Sequence, residues 1–256
     1  MLTIGIDVGS ISAKAAMIKD GELIGSKVIL TGYNSRNAGE KVFNNLLNEL
    51  CISRDAADRV VATGYGRNSV DFADRAVTEI TCHAAGAHFQ DSAIRTVIDI
   101  GGQDSKAISL DSAGSVRDFA MNDKCAAGTG RFLEVMARAL EVDLDAFGKM
   151  SLQADQPAAI SSLCTVFAES EVISLIARGE SRKNIIAGIH ESVGSRVVAM
   201  ANRVGIVQPV MMTGGVARNI GVVRALEKKS GKSIMVSELA QINGAIGAAL
   251  IAAVKR

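Results

Sequence analysis

Three short apolar runs along the chain, at residues 2–6, 97–98 and 210–212, each stop at an Asp or a Thr that lies close to a Gly. Runs rich in β-branched residues that end in this way are typical of strands leading into tight turns. Longer segments at residues 132–140 and 166–177 space their apolar residues with a helical period. The mixture of strands and helices predicts an α/β fold, and 256 residues allow one large domain or two small ones.

Two further segments, at residues 82–87 and 243–249, consist mostly of small residues. Ala and Gly allow short distances between helix axes, so these segments predict two helices that pack closely. We expect the two helices to form the hinge between two lobes.

One pattern occurs twice in the chain. Ile6-Asp7-Val8-Gly9 is followed by Lys14, and Ile98-Asp99-Ile100-Gly101 by Lys106, so Lys lies seven positions after Asp in both copies. The copies are 92 residues apart, which predicts two related halves that face each other across a cleft. The predicted lobes are residues 1–94 together with 244–256, and residues 95–243.

The repeated Asp residues suit a phosphate site. Asp7 and Asp99 lie close to a Gly, whose missing Cβ lets backbone N–H groups of the turn approach phosphate oxygens. Carboxylates on the floor of a cleft can hold hydrated Mg²⁺ and orient water, while Lys14 neutralises phosphate charge. A hairpin with Asp at its turn has the same pattern, and this alternative stays open for each copy. Thr213-Gly214-Gly215 is either a turn against which an adenosine ring lies or a plain strand-to-helix turn.

Composition narrows the classes of partner. The chain has 28 basic and 27 acidic residues, interspersed, so it offers no basic surface for nucleic acid. Aromatic residues make up 4% and Trp is absent, which leaves little material for base stacking. No apolar stretch reaches the ~18 residues needed to span a bilayer, and the first residues do not resemble a secretion signal. We therefore expect a cytoplasmic protein that binds a small polar or anionic ligand, and neither nucleic acid nor membrane.

Cys125 and Cys164 each precede a segment with helical periodicity. A helix start carries positive partial charge, which favours the metal-binding thiolate, and Thr165 or Ser162 is the expected cap of the second helix. Two thiolates cannot complete a zinc site or a cubane cluster, which need four ligands, whereas a twofold dimer would supply four. Two buried cysteines that pack as small apolar residues are the other interpretation, and the spacing alone favours it.

The order of the glycine motifs resembles the ASKHA superfamily of actin, sugar kinases and Hsp70-type ATPases. Asp7-Val8-Gly9-Ser10 with Lys14 is similar to its first phosphate motif, the segment from Asp99 to Asp104 to its second, and Thr213-Gly214-Gly215 to its adenosine motif. The sequence has no Walker lysine loop and no dinucleotide fingerprint. The resemblance implies two ribonuclease H-like lobes with a nucleotide cleft between them, and ATP as the nucleotide.

The same resemblance implies roles for individual residues. Asp7 and Asp99 organise Mg²⁺ and water, and either Gln103 or Asp104 orients the attacking water. The residues expected around the nucleotide are Gly9, Ser10, Ser12, Lys14, Gly101, Gly102, Asp104, Gly214 and Gly215.

Two longer motifs point to a narrower family. The segments from Asn122 to Phe132 and from Cys164 to Glu171 resemble the signatures of activator ATPases of 2-hydroxyacyl-CoA dehydratases, which are related to benzoyl-CoA reductase ATPase subunits. The resemblance implies a homodimer in which Cys125 and Cys164 of both subunits hold one bridging 4Fe-4S cluster. It implies ATP-driven transfer of one electron to an iron–sulfur dehydratase, with ferredoxin or flavodoxin as the donor. It also implies oxygen sensitivity and an anaerobic host.

Three alternatives stay open at this point. The same reductase module could serve a partner that carries a double-cubane cluster and reduces small molecules. A kinase of a small hydroxylated substrate would have a similar cleft. A nucleotide-dependent binding or assembly protein would need neither cluster nor catalysis.

The remaining candidates are assigned structural roles. Cys51 lies in an amphipathic helical stretch and Cys82 among small residues, and both are interpreted as packing residues. Thr63-Gly64-Tyr65-Gly66-Arg67 also resembles the activator family, or is simply a turn with an exposed Arg. His83, His88 and His190 are expected to be polar residues on helices or on the surface. Glu169 and Glu171 are expected to complement the dipole of a helix.

Overall fold

The computed structural model describes residues 1–161 and 164–254, so the candidate cap Ser162 lies outside the described residues. Within them the chain forms ten strands and eight α-helices, which confirms the predicted α/β class. The strands are β1 Leu2–Val8, β2 Ser12–Lys19, β3 Glu22–Leu30, β4 Arg59–Thr63, β5 Arg75–Ala76, β6 Thr96–Ile100, β7 Ser105–Leu110, β8 Val116–Asn122, β9 Val210–Thr213 and β10 Ile234–Val236.

The helices lie between groups of strands or after the last strand, and four of them follow one another between β8 and β9. They are α1 Ser35–Glu49, α2 Glu79–Gln90, α3 Gly130–Ala139, α4 Leu144–Ser151, α5 Thr165–Ala177, α6 Arg182–Ala201, α7 Ile220–Ser230 and α8 Asn243–Ala253. In the described part of the chain, none of these helices combines the length and the apolar character that crossing a membrane requires.

The chain divides into two compact units. The first comprises Met1–Val97, Leu110–Arg117 and Glu238–Arg256, and the second comprises Ile98–Ser109 and Asp118–Ser237. One five-stranded sheet lies in the first unit, and most residues of the other five-stranded sheet lie in the second.

The first sheet has the strand order β3-β2-β1-β4-β5, with β1 antiparallel to β2 and parallel to β4. Strand β1 is buried on both faces because alternate residues point to different helices. Ile4, Ile6 and Val8 share an apolar cluster with residues of α1. On the opposite face, a Cβ on Gly5 would overlap the backbone of α8. Asp7 points to the same side as Gly5, and this alternation places the carboxylate next to α8.

Helices α2 and α8 pack at short distance, as the small residues of both segments predict. A Cβ on Gly247 would overlap the carbonyl oxygen of Cys82, and one on Gly86 would overlap the carbonyl oxygen of Asn243. Both helices belong to the first unit.

The second sheet has the strand order β10-β9-β6-β7-β8. Read from its other edge, this is the order of the first sheet, since β6, β7 and β8 occupy the places of β1, β2 and β3. The chain between β8 and β9 contains α3, α4, α5 and α6. Helix α6 packs against α4, α5 and α7, and α3 packs against α5.

Candidate functional site

Asp7 and Lys14 face each other across the first hairpin. They are direct partners in the register of β1 and β2, and Lys14 Nζ lies 3.2 Å from Asp7 Oδ2. The turn is closed by a hydrogen bond from Gly9 N to Ser12 O, 3.1 Å long. Thr31 Oγ1 donates to Gly9 O at 2.7 Å from the end of β3. The hairpin therefore brings together the acid, the base and the small residues predicted for phosphate binding, including Ser10.

Gly64 lies directly against Asp7. Strand β4 is parallel to β1 with Thr63 opposite Asp7, and the chain then turns at Gly64 with a φ of 85°. A Cβ at Gly64 would overlap Asp7 Oδ1. Only Gly tolerates both this φ and this approach. Thr63 and Gly64, the first two residues of the motif that ends at Arg67, thus belong to the Asp7 site.

The second hairpin repeats the arrangement with one more carboxylate. Lys106 Nζ lies 3.3 Å from Asp99 Oδ2 and 2.7 Å from Asp104 Oδ2. Asp104 occupies the position that Ser12 holds in the first copy, because the repeat offset is 92 residues. Lys106 is only 1% exposed, so two acids enclose its charge, whereas the Lys14 side chain is 13% exposed and has Asp7 beside it.

Gly214 lies against Asp99 as Gly64 lies against Asp7. Its φ is 87°, and a Cβ there would lie 2.8 Å from Asp99 Oδ1. Thr213 Oγ1 donates to the same oxygen at 2.9 Å. Gly215, in contrast, has open space where a Cβ would be. Each unit therefore contains one Asp that lies between a Lys on the adjacent strand and the Gly of a Thr-Gly turn.

The second hairpin is also connected to the segment that carries Cys125. Gly130 N donates to Gly101 O at 2.9 Å and Arg131 N donates to Gly102 O at 2.8 Å. These two bonds join the start of α3 to the predicted phosphate turn. Gln103 in that turn is exposed.

Cys125 is partly buried next to a cation. Arg196 Nη1 on α6 donates to Cys125 Sγ at 3.5 Å and to Ala127 O at 3.2 Å. Burial raises the pKa of the Cys125 thiol, but hydrogen bonds from Arg196 and the Ala127 N–H, with the guanidinium charge, outweigh burial and lower that pKa. Cys125 lies five residues before α3, so the neighbouring guanidinium, rather than the start of the helix, favours its thiolate. Arg196 is not among the residues predicted from the sequence. The pattern that could have indicated it is a single cationic residue within the mostly apolar stretch 193–201 of a helix.

Cys164 is exposed and is itself the N-cap residue of α5. Glu171, in the same helix, contacts Ser161, and its carboxylate accepts from Ser161 N at 3.1 Å and from Ser161 Oγ at 3.1 Å. The expectation that Glu169 and Glu171 complement the helix dipole is wrong, because both lie beyond the first turn of α5, where the dipole acts.

The other cysteines differ from each other. Cys82 is buried as expected, and burial raises its pKa to about 12. Cys51 is exposed at a φ of 53°, just after α1 ends at Glu49, so its assignment to a packed helical stretch is wrong.

Two of the three histidines are buried within helices. His83 lies on α2 and His190 on α6, where burial lowers the pKa of His190 to about 3. Within residues 1–161 and 164–254, no three His, Cys, Asp or Glu side chains converge as a metal site.

The paired sheets and their Asp sites define an α/β protein with the actin/Hsp70-like fold. A ROK family glucokinase from Streptomyces griseus has this fold at 14% identity, with a TM-score of 0.59 over 98% of this chain and 99% of that chain. The chain belongs to the BadF/BadG/BcrA/BcrD ATPase family, which it matches over residues 4–252.

Relatives of similar length carry more specific names. The activator of lactoyl-CoA dehydratase from Anaerotignum propionicum is 49% identical, over 98% of this chain and 97% of that protein. Component A of (R)-2-hydroxyglutaryl-CoA dehydratase from Acidaminococcus fermentans has a TM-score of 0.95 at 49% identity, over 98% of this chain and 97% of that chain. The activator of 2-hydroxyisocaproyl-CoA dehydratase from Clostridium difficile, solved with bound ADPNP, has a TM-score of 0.93 at 44% identity, over 98% and 94%.

Proposed function

We propose that this protein is an ATP-dependent activator that passes single electrons through an iron–sulfur cluster to a 2-hydroxyacyl-CoA dehydratase. The observation that carries the proposal is the combination of two Asp–Lys hairpins with two accessible cysteines, one of them beside Arg196, in a chain whose full-length relatives are dehydratase activators. The recipient would be an iron–sulfur dehydratase, and a ferredoxin or flavodoxin would re-reduce the activator.

The nucleotide proposed for the hairpins is ATP with Mg²⁺, in keeping with the analogue bound to a relative. Asp7 and Asp99 would organise Mg²⁺ and water. Lys14 suits a phosphate contact because it is partly exposed, whereas Lys106 is enclosed by Asp99 and Asp104. The backbone groups that we propose as nucleotide contacts are those of residues 9–12, of residues 101–102 and of the turn at 214–215.

Gln103 is the better choice for orienting the attacking water. Asp104 Oδ2 is engaged by Lys106 Nζ at 2.7 Å, and a carboxylate in such a pair is not free to turn toward water. Gln103 is exposed in the same turn. We assign the orienting role to Gln103 and the positioning of Lys106 to Asp104.

The cysteines Cys125 and Cys164 suit a thiolate-bound cluster. Neither is fully buried, which argues against packing roles, and the pKa of Cys125 is lowered by its contact with Arg196 despite the effect of burial. A 4Fe-4S cluster, when bound, supplies one-electron redox chemistry at low potential. Arg196 would hold the thiolate of Cys125.

The homodimer follows from the number of ligands. A cubane needs four thiolates, and two chains related by a twofold axis would each provide Cys125 and Cys164. Helix α5, which begins next to Cys164, leaves large apolar side chains exposed. Val166 and Phe167 are 66% and 67% exposed, and Ile173 and Ile176 continue the exposed apolar surface. A second copy is the occupant that we propose for this surface.

Coupling between nucleotide and cluster would pass through the start of α3. The bonds from Gly130 and Arg131 to the turn at Gly101 and Gly102 tie the segment after Cys125 to the proposed phosphate site. A change in that turn on ATP binding would therefore reach Cys125 through a short stretch of backbone.

The test separates the two halves of the proposal. We expect the oxygen-free protein to contain about four iron and four sulfide ions per dimer, to hydrolyse ATP, and to activate a 2-hydroxyacyl-CoA dehydratase only when ATP is present. Asp7→Ala should abolish ATP hydrolysis and keep the iron, because the cysteines are untouched. Cys125→Ala should lose the iron and still bind ATP.

Two exposed residues provide matched controls, since Asp145→Ala and Cys51→Ala should leave both properties unchanged. A protein without iron after oxygen-free purification would refute the electron-transfer role. ATP hydrolysis by Asp7→Ala at the rate of the parent would refute the nucleotide site.

A further inference from the structure

A buried network of hydrogen bonds lies behind Asp7 and has no place in the proposed function so far. It joins α2 to the first residue of α8. Gln90 Nε2 donates to Gly86 O at 3.2 Å and to Asn243 Oδ1 at 2.7 Å. Asn243 Nδ2 lies 3.0 Å from His83 O and 3.2 Å from His83 Nδ1. Asn243 is fully buried and His83 is nearly so.

The backbone fixes the orientation of both amides. A carbonyl oxygen can only accept, so the Gln90 atom that faces Gly86 O must be the NH₂ group. For the same reason, the Asn243 atom that faces His83 O must be its NH₂ group. Asn243 Oδ1 is then free to accept from Gln90, which is what the 2.7 Å contact shows. Neither amide can flip without placing two like groups in contact.

The network also fixes the tautomer of the imidazole. His83 Nδ1 faces an NH₂ group and must accept from it, so the ring hydrogen is on Nε2. His83 therefore presents an N–H donor at the edge of the ring opposite to Asn243.

That donor shares a small space with the Asp7 carboxylate. A Cβ on Gly244 would lie 3.0 Å from Asp7 Oδ2 and 3.1 Å from His83 Nε2. The two polar atoms are thus at most about 6 Å apart, a separation that a direct contact or one bridging water spans. Gly244 keeps this space open because it has no side chain. Lys14 approaches the same oxygen at 3.2 Å.

We infer that His83 is a positioning residue, whose Nε2–H holds the Asp7 carboxylate in the orientation needed for metal-assisted ATP hydrolysis. Asn243 and Gln90 keep the imidazole in the donating tautomer. The inference rests on the proposed nucleotide role of Asp7. Groups that orient a catalytic carboxylate are typically worth 10–100-fold in activity when they are removed.

Two conservative variants distinguish positioning from packing. The side-chain amide nitrogen of Gln reaches the place of His Nε2, so His83→Gln keeps a donor toward Asp7 and loses the acceptor for Asn243. In His83→Asn the amide oxygen reaches the place of Nδ1, so the bond to Asn243 is kept and the donor toward Asp7 is lost.

We expect His83→Asn to lower kcat for ATP hydrolysis about 10–100-fold, with KM for ATP changed less than about threefold because phosphate contacts made elsewhere remain. His83→Gln should retain most of kcat. Thermal unfolding and iron content of the dimer, measured on the same samples, should change little in either variant. If His83 has a purely structural role, His83→Gln should lower kcat more than His83→Asn does. That result would overturn the inference.

Gly244→Ala tests the same point without removing either group. Its methyl group would enter the space between His83 Nε2 and Asp7 Oδ2, while Ala in a helix is favoured over Gly. We expect kcat to fall with no loss of the unfolding midpoint, and an unchanged kcat would contradict the inference. If the parent protein does not hydrolyse ATP, the proposed function fails. If the parent hydrolyses ATP and His83→Asn does so at the same rate, only the role of His83 is refuted.

Discussion

At the scale of single residues, two lysines in equivalent positions have different surroundings. Lys14 has Asp7 beside it and is partly exposed, whereas Lys106 is buried between Asp99 and Asp104. The difference in the surroundings of the two lysines arises from one equivalent position, which is Ser12 in the first copy and Asp104 in the second. In the proposed site, the repeated motif would therefore provide a phosphate contact through Lys14 in one unit, whereas Lys106 forms an internal ion pair in the other.

Replacing each lysine by Met should separate these roles. Lys106→Met leaves two carboxylates of a buried cluster without their cation, and removal of one partner from a buried ion pair costs about 3–5 kcal/mol. Lys14→Met should cost clearly less stability, because water reaches that site, and should raise KM for ATP. Unfolding in urea and ATP kinetics provide the measurements. Equal losses of stability in the two variants would contradict the assignment.

At the scale of elements, the first unit depends on helices that approach without side chains between them. Gly247 on α8 faces the backbone of α2 at Cys82, and Gly5 on β1 faces α8. The approach places Asn243 and Gly244 of α8 beside His83 and Asp7. Small residues here do more than permit packing, because they set the distance at which the Asp7 carboxylate meets its neighbours.

Gly247→Ala is expected to destabilise the protein by about 3 kcal/mol, because its methyl group would overlap a backbone oxygen that cannot move independently. Gly39→Ala on α1 is the matched control. There the nearest atom is a methyl group of Val70, 2.9 Å from the added Cβ, and the gain in helix propensity of up to ~1 kcal/mol offsets a small adjustment. The measurement is the free energy of unfolding of both variants. A similar change in Gly247→Ala and Gly39→Ala would show that the packing of α2 against α8 is not rigid.

At the scale of the whole molecule, the two sheets have the same strand order and each has an Asp beside a Lys and a Gly turn, yet only the second unit carries the proposed cluster ligands. Thr63 follows Asp7 by 56 residues, whereas Thr213 follows Asp99 by 114. Helices α3 to α6 and both cysteines Cys125 and Cys164 lie within this longer stretch. The residues proposed for electron transfer therefore lie in a helical insertion that only one of the two sheets with the same strand order carries.

The exposed surface of α5 should control dimerisation. Phe167→Glu places a charge on the surface proposed to meet a second copy, so we expect a shift toward monomer and a loss of most iron, since one chain offers only half of the ligands. Tyr33→Glu is the control, because that side chain is fully exposed in the first unit. Sedimentation under anaerobic conditions with iron analysis provides the readout. A Phe167→Glu variant that remains a dimer with full iron content would exclude α5 from the interface.

The sequence by itself determined the features that depend on neighbouring residues. The seven-residue spacing from Asp to Lys is a hairpin spacing, so strand pairing alone brings Asp7 opposite Lys14. The strand-to-Gly turns and the close packing of two helices of small residues followed from local pattern in the same way.

Only the tertiary structure decided the features that join distant segments. Gly64 and Gly214 prove to be equivalent because each packs on an Asp, although they lie at different distances along the chain. Arg196 reaches Cys125 from 71 residues away, and Asn243 reaches His83 from 160. Cys51, placed by periodicity in a helix, lies beyond its end. Hydrophobic periodicity reports which face of an element is buried, whereas the partner of a buried polar group is set by how the elements pack against one another.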